Sequence, residues 1–243
     1  MKKSSGVIIV PAFNEEENIG TLVSEIRGVV PQLDIVIIND HSSDNTSNLA
    51  KKLGVQVIDL PCNLGYGGAI QTGFKYALKN NYDFCVQIDG DGQHDPKCIE
   101  SLIQELQLNG TDVVLGSRFL GEASYKIPLA RKIGMNLFSK IIKLLTGMNI
   151  TDPTSGYQAL NSRVIRFFAD DNYPIDYPDA DTLIVLNYSG FKVKEIPVAM
   201  RQRIHGESMH NNLKAFYYVF KMFLTLFVIV LRGKTYYLKR NRF

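Results

Sequence analysis

The chain has 243 residues, a length typical of one α/β domain with or without a small appendage. Hydrophobic residues make up 45% of the chain and charged residues 21%, a balance that excludes wholesale disorder. The formal net charge of +3 is too small to indicate nucleic acid as a partner, and we expect none.

Strand-like and helix-like segments alternate through the first half of the chain. Short apolar runs predict five strands, at Val7–Val10, Ile35–Ile38, Val55–Leu60, Phe84–Ile88 and Val113–Leu115. Helical periodicity predicts four helices between them, one beginning at Asn18 and the others at Thr46–Leu53, Gly68–Leu78 and Cys98–Leu108. Continuous apolar strands separated by helices are typical of parallel strands covered on both faces. The sequence therefore predicts an α/β fold with a mostly parallel sheet, in which ligands bind at the carboxyl ends of the strands.

The pattern changes after the fifth predicted strand. Arg131–Met148 is predicted to form a basic amphipathic helix, and the turn-rich segment Thr151–Tyr157 follows it. Lys192–Pro197 is predicted to be a strand. Leu213–Leu231 is predicted to be a long apolar helix, although lysines interrupt it.

The carboxylates of Asp89 and Asp91 are the strongest local signal in the sequence. Both follow the fourth predicted strand, within the segment Ile88–Gln93. Two carboxylates so placed can converge on one hard cation such as Mg²⁺ or Mn²⁺, which keeps coordination positions open for phosphate oxygens and would neutralise a diphosphate leaving group. The alternatives are a solvated turn and a calcium-binding loop, but the sixth position of such a loop is His94 here instead of glycine.

The loop after the second predicted strand, Asn39–Thr46, is rich in side chains that form hydrogen bonds. Asp40 directly follows the strand and is well placed for a ligand hydroxyl or the edge of a base. Asp44 or Ser43 could instead serve only to cap the helix that begins near Thr46. The residues of this loop leave both interpretations open.

The loops after the first and third strands offer two more candidate contacts. In Pro11–Glu16, Asn14 or Glu15 could contact a nucleotide, but Asn14 could equally cap the next helix. In Asn63–Ala69, a glycine-rich turn leads into a helix and can bring backbone N–H groups up to an anion. The glycines could also serve the turn alone.

Arg201–Ser208 is a basic segment between the last predicted strand and the apolar helix. Arginines beside a flexible glycine suit a loop that closes over phosphate. A basic loop of this kind can also be ordinary solvated surface, and the residues alone do not decide between the two.

Seven motifs in chain order resemble family 2 glycosyltransferases of the GT-A fold, in particular the dolichol- and polyprenol-phosphate mannosyl- and glucosyltransferases. They are Pro11–Glu15, Asp40–Thr46, Asn63–Ala69, Asp89–Gln93, Gly116–Phe119, Asp152–Tyr157 and Arg203–Ser208. The resemblance implies a Rossmann-like catalytic domain at 1–210, with helices on both faces of the sheet and an amphipathic interface helix inserted at 131–148. It also implies a C-terminal apolar helix and basic tail at 211–243.

The resemblance further implies a role for each motif. The donor nucleotide would be held by Pro11, Ala12, Asn14, Glu15, Asp40, Asn63, Gly68, Asp89 and Gly90. The cofactor Mn²⁺ or Mg²⁺ would be bound by Asp89, Asp91 and Gln93. The acceptor and its phosphate would be contacted by Arg118, Ser155, Gly156, Arg203 and Ser208. Asn39 stands where the family more often has an aspartate, so the resemblance does not name the base of the nucleotide.

The resemblance implies that Thr154–Tyr157 borders the acceptor site, and we call the turn-rich segment Thr151–Tyr157 that contains it the acceptor loop. The segment Pro178–Asp181 corresponds to the acidic element that the family usually has beyond this loop. Asp181, or else Asp179, could act as a general base in an inverting displacement. Both are candidate catalytic residues, together with Arg203 and the Asp89 and Asp91 pair. If the acceptor is an ionised phosphate, a base is hardly needed, because that oxygen is nucleophilic without losing a proton.

The two apolar helices predict contact with a membrane surface. The helix at 131–148 suits an anionic lipid interface, although it could instead pack on the sheet. The helix at 213–231 is expected to be interfacial or partly embedded, with the core or a homodimer contact as alternatives. The basic residues after it favour the cytoplasmic side. An integral-membrane partner subunit is a further hypothesis.

The sequence therefore predicts an inverting, metal-dependent hexosyltransferase. It would move a sugar from a nucleotide-sugar of the GDP-mannose or UDP-glucose class to a polyprenyl or dolichyl phosphate. The basic helix directly before Asp152–Tyr157 favours the lipid acceptor. The alternatives are a family 2 transferase with a polysaccharide or glycan acceptor, and a catalytically silent subunit that binds nucleotide-sugar. The intact pair Asp89 and Asp91 argues against the silent subunit.

Overall fold

The computed structural model describes residues 5–108, 110–120, 129–170, 173–174, 178–201 and 212–241, with the backbone alone for 129–133 and 212–220. The strands within these residues are β1 (Gly6–Ala12), β2 (Asp34–Asn39), β3 (Gln56–Asp59), β4 (Phe84–Gln87), β5 (Val113–Ser117), β6 (Gln158–Asn161) and β7 (Val193–Pro197). The helices are α1 (Ile19–Val29), α2 (Thr46–Lys52), α3 (Gly65–Lys79), α4 (Ile99–Gln107), α5 (Leu129–Thr146), α6 (Ser162–Ala169), α7 (Ala180–Tyr188) and α8 (Asn212–Arg240).

All these strands belong to one sheet, in the order β3-β2-β1-β4-β6-β5-β7. Strand β6 runs antiparallel to both of its neighbours, and the other pairs are parallel. Alternate residues of β1 enter two separate core layers. Val7 and Ile9 pack in the layer that contains α3, α6 and α7, whereas Ile8 and Val10 pack against α1 and α4. The predicted α/β fold, with helices on both faces of a mostly parallel sheet, is confirmed.

The six strands predicted from the sequence are all present, with bounds shifted by one or two residues. Strand β6 and helices α6 and α7 have no counterpart in the sequence prediction. Strand β6 determines which loops meet at the carboxyl edge of the sheet. Because it is antiparallel, its first residue Gln158 pairs with Gln87 of β4 and with Leu115 of β5. The segment that enters β6 therefore lies at the edge where the neighbouring parallel strands end.

Helix α5 overlaps the predicted helix Arg131–Met148 but ends at Thr146, and α8 spans the predicted helix Leu213–Leu231. Helix α8 continues to Arg240 across a break in helical geometry at Gly233, where φ is 68° and ψ is 165°. Each helix buries one face in the core, with Ile142 of α5 and Ile229 of α8 among the buried residues. None of the helices in the described part of the chain combines the length and the apolar character needed to cross a bilayer.

Candidate active site

The carboxylate of Asp89 is oriented by Tyr66, a residue of helix α3. Its Oδ1 accepts a hydrogen bond from the Tyr66 hydroxyl at 2.7 Å, and that hydroxyl in turn accepts one from Nε2 of Gln87 at 2.7 Å. Burial and the nearby Asp89 carboxylate raise the pKa of Tyr66 well above its usual value, so the hydroxyl remains a donor. The Asp89 side chain is 29% exposed. The carboxylate is thus oriented by the protein and still accessible to a ligand.

Gly156, a predicted acceptor residue, lies directly against this carboxylate. A Cβ atom at position 156 would overlap the Tyr66 hydroxyl and would be 3.1 and 3.2 Å from the two carboxylate oxygens of Asp89. No side chain larger than that of glycine fits there without a shift. The structure therefore brings the predicted acceptor loop and the predicted metal motif into contact.

The end of β1 and the loops after β2 and β4 meet at the same edge. A Cβ atom on Gly90 would be 2.8 Å from the carbonyl oxygen of Pro11 and 3.5 Å from the side chain of Ala12. The backbone N–H of Asp40 donates to the carbonyl oxygen of Ala12 at 2.9 Å. Four of the predicted donor-binding residues are therefore packed together, although their contact with a nucleotide stays a prediction.

His94 stabilises the loop that carries Asp89 and Asp91. Its Nδ1 accepts a hydrogen bond from the backbone N–H of Asp89 at 3.1 Å, and its ring stacks on Tyr157 at 4.8 Å between centroids. Burial lowers the pKa of His94 to about 4, so the ring is neutral near pH 7 and Nδ1 can accept. Oδ1 of Asp91 accepts from the backbone N–H of Gln93 at 3.1 Å and completes the turn. The sequence prediction missed His94 as a residue of the site.

Asp40 binds the start of helix α3. Its two carboxylate oxygens accept hydrogen bonds from the backbone N–H groups of Leu64 at 2.7 Å and Gly65 at 2.9 Å. Burial raises the pKa of Asp40, and these two hydrogen bonds oppose that shift. Asn63 also accepts from Gly65, and Gly68 packs against Leu64. The anion at this helix start is the protein's own carboxylate, and direct contact of Asp40, Asn63 or Gly68 with the donor stays a prediction.

The loops after β1 and β2 are joined side by side. Asn14 has a φ of 55°, and its Oδ1 accepts from the backbone N–H of Ser43 at 2.8 Å. The backbone N–H of Glu15 donates to Oγ1 of Thr46 at 2.8 Å, and that hydroxyl donates to Asp44 at 2.6 Å. The side chain of Asn14 therefore does not cap α1. The N-cap position of α2 is Asn45 and not Asp44 or Ser43, but Oδ1 of Asp44 accepts a hydrogen bond from the backbone N–H of Thr46, the first residue of α2, at 3.0 Å.

The side-chain amide of Asn39 uses both its donor and its acceptor. The resemblance places an aspartate more often at this position. Nδ2 of Asn39 donates to Oδ1 of Asp59 at 2.8 Å, and its Oδ1 accepts from the backbone N–H of Ser42 at 3.2 Å. The bond from Lys51 is the main reason that the pKa of Asp59 is lowered to about 2. An aspartate at position 39 would face another ionised carboxylate, which gives a physical reason for the departure from the family pattern.

Arg118 follows β5 and anchors the acceptor loop. Its Nε donates to Oδ2 of the fully buried Asp152 at 2.6 Å, and its Nη2 donates to Oδ1 of Asp152 at 2.6 Å and to Thr154 at 2.9 Å. This is a bidentate ion pair, a geometry with strong directional preference. The other terminal nitrogen, Nη1, makes no hydrogen bond with any described residue. A contact from Arg118 to phosphate stays a prediction, and Nη1 is the atom left for it.

The acceptor loop is fixed at two further points. The Ser155 hydroxyl is buried and donates to the carbonyl oxygen of Gly116 at 2.6 Å. The Glu195 carboxylate of β7 accepts from the backbone N–H groups of Thr151 and Asp152, both at 2.8 Å. Ser155 is therefore engaged within the fold, and its predicted role at the acceptor is not decided by these contacts.

Asp181 lies in the first turn of α7 and is buried. Its Oδ1 accepts from the backbone N–H groups of Asp179 at 3.0 Å and Thr182 at 2.8 Å. Burial, and then the charge of Asp179, raise the pKa of Asp181 to about 7. After burial itself, the charges of Asp181, Asp179 and Asp89 raise the pKa of Tyr173. The carboxylates of the acidic element and of Asp89 thus all act on the same tyrosine. The sequence did not predict Tyr173 as a residue of the site.

The segment after β7 is fixed beside the predicted metal motif. The backbone N–H of Arg201 donates to the carbonyl oxygen of Gln93 at 2.7 Å. The Arg201 guanidinium forms ion pairs with Asp95 at 2.9 Å and with a glutamate of α1 at 2.7 Å. The predicted phosphate-binding residues Arg203 and Ser208 lie outside the described residues.

The Asp89–Gln93 loop offers part of a ligand set for a divalent cation. Within the described residues, no three acidic, histidine or cysteine side chains come together to hold a metal ion by themselves. Mg²⁺ and similar cations are often bound by one or two carboxylates together with substrate phosphates. The partly exposed Asp89 and Asp91 therefore fit a cation that is shared with a substrate phosphate.

Comparison with known proteins places the chain in a family. Residues 7–169 match the model of glycosyl transferase family 2. The chain belongs to glycosyl transferase family 2. An undecaprenyl-phosphate mannosyltransferase of Micrococcus luteus is 29% identical over 210 residues, which cover 82% of this chain and 85% of the relative. A UDP-N-acetylglucosamine–dolichyl-phosphate N-acetylglucosaminyltransferase of Methanococcus voltae is 28% identical over 238 residues, or 90% of this chain and 94% of the relative.

Among solved structures, glucosyl-3-phosphoglycerate synthase from Mycobacterium tuberculosis, in complex with Mn²⁺ and UDP-glucose, matches with a TM-score of 0.70. The match covers 91% of this chain and 77% of that one at 17% identity, and it shows a shared fold. The resemblance drawn from the seven motifs is thus confirmed, both for family 2 and for its dolichol- and polyprenol-phosphate branch.

Proposed function

We propose that this family 2 glycosyltransferase moves a hexose from a nucleoside diphosphate sugar to a polyprenyl phosphate at a membrane surface. The observation that carries the proposal is the contact of Gly156 with the Asp89 carboxylate. The loop expected to border the acceptor and the motif expected to bind the diphosphate therefore face one space. Transfer of a sugar requires that the donor and the acceptor meet in one such space.

The named relatives support the class of acceptor more strongly than the identity of the sugar. Both are named for a polyprenyl-type phosphate, whereas one is named for mannose and the other for N-acetylglucosamine. The proposed donor stays the GDP-mannose or UDP-glucose class, and the sugar is a matter for direct assay. The proposed stereochemical course is inversion, by a single displacement at the anomeric carbon.

Asp89 and Asp91 are proposed to hold Mn²⁺ or Mg²⁺ together with the diphosphate of the donor, with Gln93 as a third candidate ligand. A bound divalent cation supplies positive charge that stabilises the departing nucleoside diphosphate. Tyr66 keeps the Asp89 carboxylate pointed into the site, and His94 fixes the backbone of the same loop. The protein thus provides an ordered pair of oxygen ligands before any substrate binds.

On the acceptor side, an ionised lipid phosphate needs orientation more than activation. Arg118 is held by Asp152, and its Nη1 is proposed to contact a phosphate oxygen. Arg203 is proposed to contact the same or the donor phosphate. Asp181, or Asp179, could take a proton only from a hydroxyl acceptor, so a phosphate acceptor makes that role unnecessary.

The direct test is incubation of the purified protein with Mn²⁺, undecaprenyl phosphate and a panel of GDP-mannose, UDP-glucose and UDP-N-acetylglucosamine, followed by mass spectrometry of the extracted lipid. Glycosylated undecaprenyl phosphate is expected with one of the donors. Product formed only when a soluble oligosaccharide replaces the lipid would overturn the acceptor assignment.

Asp91→Ala is expected to abolish transfer while the fold persists. The matched control is Asp83→Ala, an exposed aspartate at the amino end of β4, which should keep wild-type activity. Wild-type rates in Asp91→Ala with excess chelator would refute the proposed metal site.

A further inference from the structure

A cavity of about 430 Å³ lies between helix α6 and the ends of helices α3 and α8. Its volume is within the usual range of small-molecule sites, about 300–1,000 Å³. Arg163 of α6 lines the cavity and pairs with Asp112, the residue directly before β5. The cavity therefore lies near the edge where the parallel strands begin, whereas the candidate active site lies at the edge where they end. We call it the arginine cavity.

The charged residues that line the arginine cavity are mostly positive. They are Arg163, Arg166 and Arg240, with Asp170 as the single acidic residue. In the part of the chain that the structure describes, Asp170 forms no ion pair with any of these arginines. Asp112 compensates one of the positive charges through its 3.1 Å ion pair with Arg163. Two guanidinium groups therefore face one carboxylate, and the lining keeps an excess of positive charge.

Two of these arginines are oriented by aromatic rings. The guanidinium carbon of Arg163 lies 5.4 Å from the ring centroid of Phe191, and that of Arg240 lies 5.8 Å from the ring centroid of Tyr236. The Tyr236 hydroxyl also accepts a hydrogen bond from Nη1 of Arg240 at 3.1 Å. A guanidinium group that contacts a ring by its flat face keeps the N–H donors at its edge for other partners. Arg166 is exposed and has no hydrogen-bond or ion-pair partner among the described residues.

The floor of the arginine cavity is apolar. Phe167 is buried in the core layer between α3 and α6, and the half-buried Leu78 near the end of α3 packs against the same layer. Ligand sites commonly combine apolar walls with a few polar groups that fix the orientation of the ligand. The cavity is therefore matched to a molecule that has both an anionic group and an organic body.

We infer that the arginine cavity is a second ligand site, which binds a phosphate-bearing small molecule from solution. Guanidinium groups bind phosphate oxygens through paired, charge-assisted hydrogen bonds. A phosphate monoester carries a charge of about −1.5 to −2 near pH 7, so it gains more from a positive lining than a single carboxylate does. The organic body of the ligand would contact Phe167 and Leu78. A nucleoside diphosphate has this chemistry.

The test is isothermal titration calorimetry of the full chain with GDP, UDP and pyrophosphate, at low salt and with EDTA. The chelator removes the cation that the donor site is proposed to need, so binding at the arginine cavity is measured alone. One molecule of GDP or UDP should bind per chain, and pyrophosphate should bind more weakly because it lacks an organic body. The double variant Arg166→Gln with Arg240→Gln should bind about tenfold or more weakly, because it removes two charged donors.

The matched control removes two positive charges elsewhere. It is Arg27→Gln with Lys52→Gln, two residues outside the arginine cavity. Arg27 lines another cavity, of about 510 Å³, at the same edge of the sheet. This control should bind like the wild type, which separates a defined site from a general effect of net charge. Circular dichroism should show both double variants folded, since Arg166 and Lys52 are exposed and Arg27 and Arg240 are not part of the core.

Equal affinity of the wild type and the arginine double variant would overturn the inference, and so would the absence of binding in EDTA. Binding of the wild type to vesicles with phosphatidylglycerol, but to none of the soluble phosphates, would also overturn it, because the ligand would then be a lipid headgroup. Binding that Asp91→Ala removes and the arginine double variant keeps would assign the ligand to the donor site instead. The titration involves no transfer, so a wild type that binds GDP here but transfers no sugar would count against the proposed function alone.

Discussion

Replacing Tyr66 with phenylalanine tests how the Asp89 carboxylate is oriented. The change removes the 2.7 Å hydrogen bond to Asp89 and deprives Nε2 of the buried Gln87 of its acceptor. A hydrogen bond to a charged group contributes about 1.5–3 kcal/mol, and a buried donor left unsatisfied costs about 1–3 kcal/mol. Part of this is recovered by relaxation, so we expect the free energy of unfolding to fall by about 2–3 kcal/mol.

The effect on the proposed metal site should be separate and larger than the loss of stability suggests. Residues that orient a metal ligand from behind typically change metal affinity or activity by about 10- to 100-fold when removed. We therefore expect Tyr66→Phe to raise the Mn²⁺ concentration for half-maximal transfer at least about tenfold. Direct binding of Mn²⁺ in the presence of a nucleoside diphosphate, followed by electron paramagnetic resonance, should weaken in parallel.

The chain offers a matched control for this prediction in Tyr82. Its hydroxyl donates to Oδ2 of Asp34 at 2.7 Å, at the amino end of β2 and thus far from the site. Tyr82→Phe should also lower the free energy of unfolding in urea but leave the Mn²⁺ dependence unchanged. If Tyr66→Phe kept the wild-type Mn²⁺ dependence, or if both variants shifted it equally, the orienting role of Tyr66 would be refuted.

Two further changes follow from single contacts. Asn39→Asp should lower the free energy of unfolding by about 1–3 kcal/mol at pH 7, because it replaces the 2.8 Å hydrogen bond to Asp59 with two facing carboxylates. The loss should be smaller at about pH 4, where the new carboxyl group binds a proton. Urea denaturation at both pH values checks this, and a loss independent of pH would exclude repulsion as its cause. Gly156→Ala should lower transfer about a hundredfold, because its Cβ would overlap the Tyr66 hydroxyl that orients Asp89 and press on the Asp89 carboxylate, with the fold intact by circular dichroism. Gly28→Ala, whose Cβ would meet nothing within 4 Å, should keep full activity.

The sheet could be predicted because its strands carry their own signal. Strands such as β1 and β2 are continuous apolar runs, buried on both faces, and each is bounded by turn residues. Strand β6 has only four residues, Gln158–Asn161, and its ends are polar. Its position depends on pairing with β4 and β5, which are far away in the sequence. No local pattern reports such pairing, so the sequence did not predict that the acceptor loop lies against Asp89.

The candidate site, like the sheet, could be predicted only in part. The positions of Asp89, Asp40 and Arg118 at strand ends could be predicted, because parallel strands end at one edge. The hydrogen-bond partners of these side chains could not be predicted. Arg118 pairs with Asp152, and Asp40 binds the start of α3, both across long stretches of sequence. Tyr66 was missed because an aromatic residue in a helical pattern looks the same whether it fills the core or orients a carboxylate.

Asp181 provides a prediction in which pH acts on stability. Burial, and then the charge of Asp179, raise its pKa from 3.8 to about 7. The folded chain thus holds this proton more tightly than the unfolded chain, so the stability that Asp181 contributes is fully present below the unfolded pKa and is lost as pH rises through about 7. Asp181→Asn should therefore gain stability over the wild type as pH rises. One pKa unit corresponds to about 1.4 kcal/mol, which sets an upper limit of about 4 kcal/mol for this gain.

The same variant separates a structural from a catalytic role of Asp181. An asparagine keeps Oδ1, which can still accept from the backbone N–H groups of Asp179 and Thr182. A general base typically contributes about a hundredfold or more to the rate, whereas an ionised phosphate acceptor has no proton to lose. With a polyprenyl phosphate acceptor, Asp181→Asn should therefore keep its transfer rate within about tenfold between pH 6 and pH 8. Stability that rises as expected, combined with transfer lost at every pH, would show that Asp181 takes part in the reaction and that the acceptor is not a phosphate that reacts unaided.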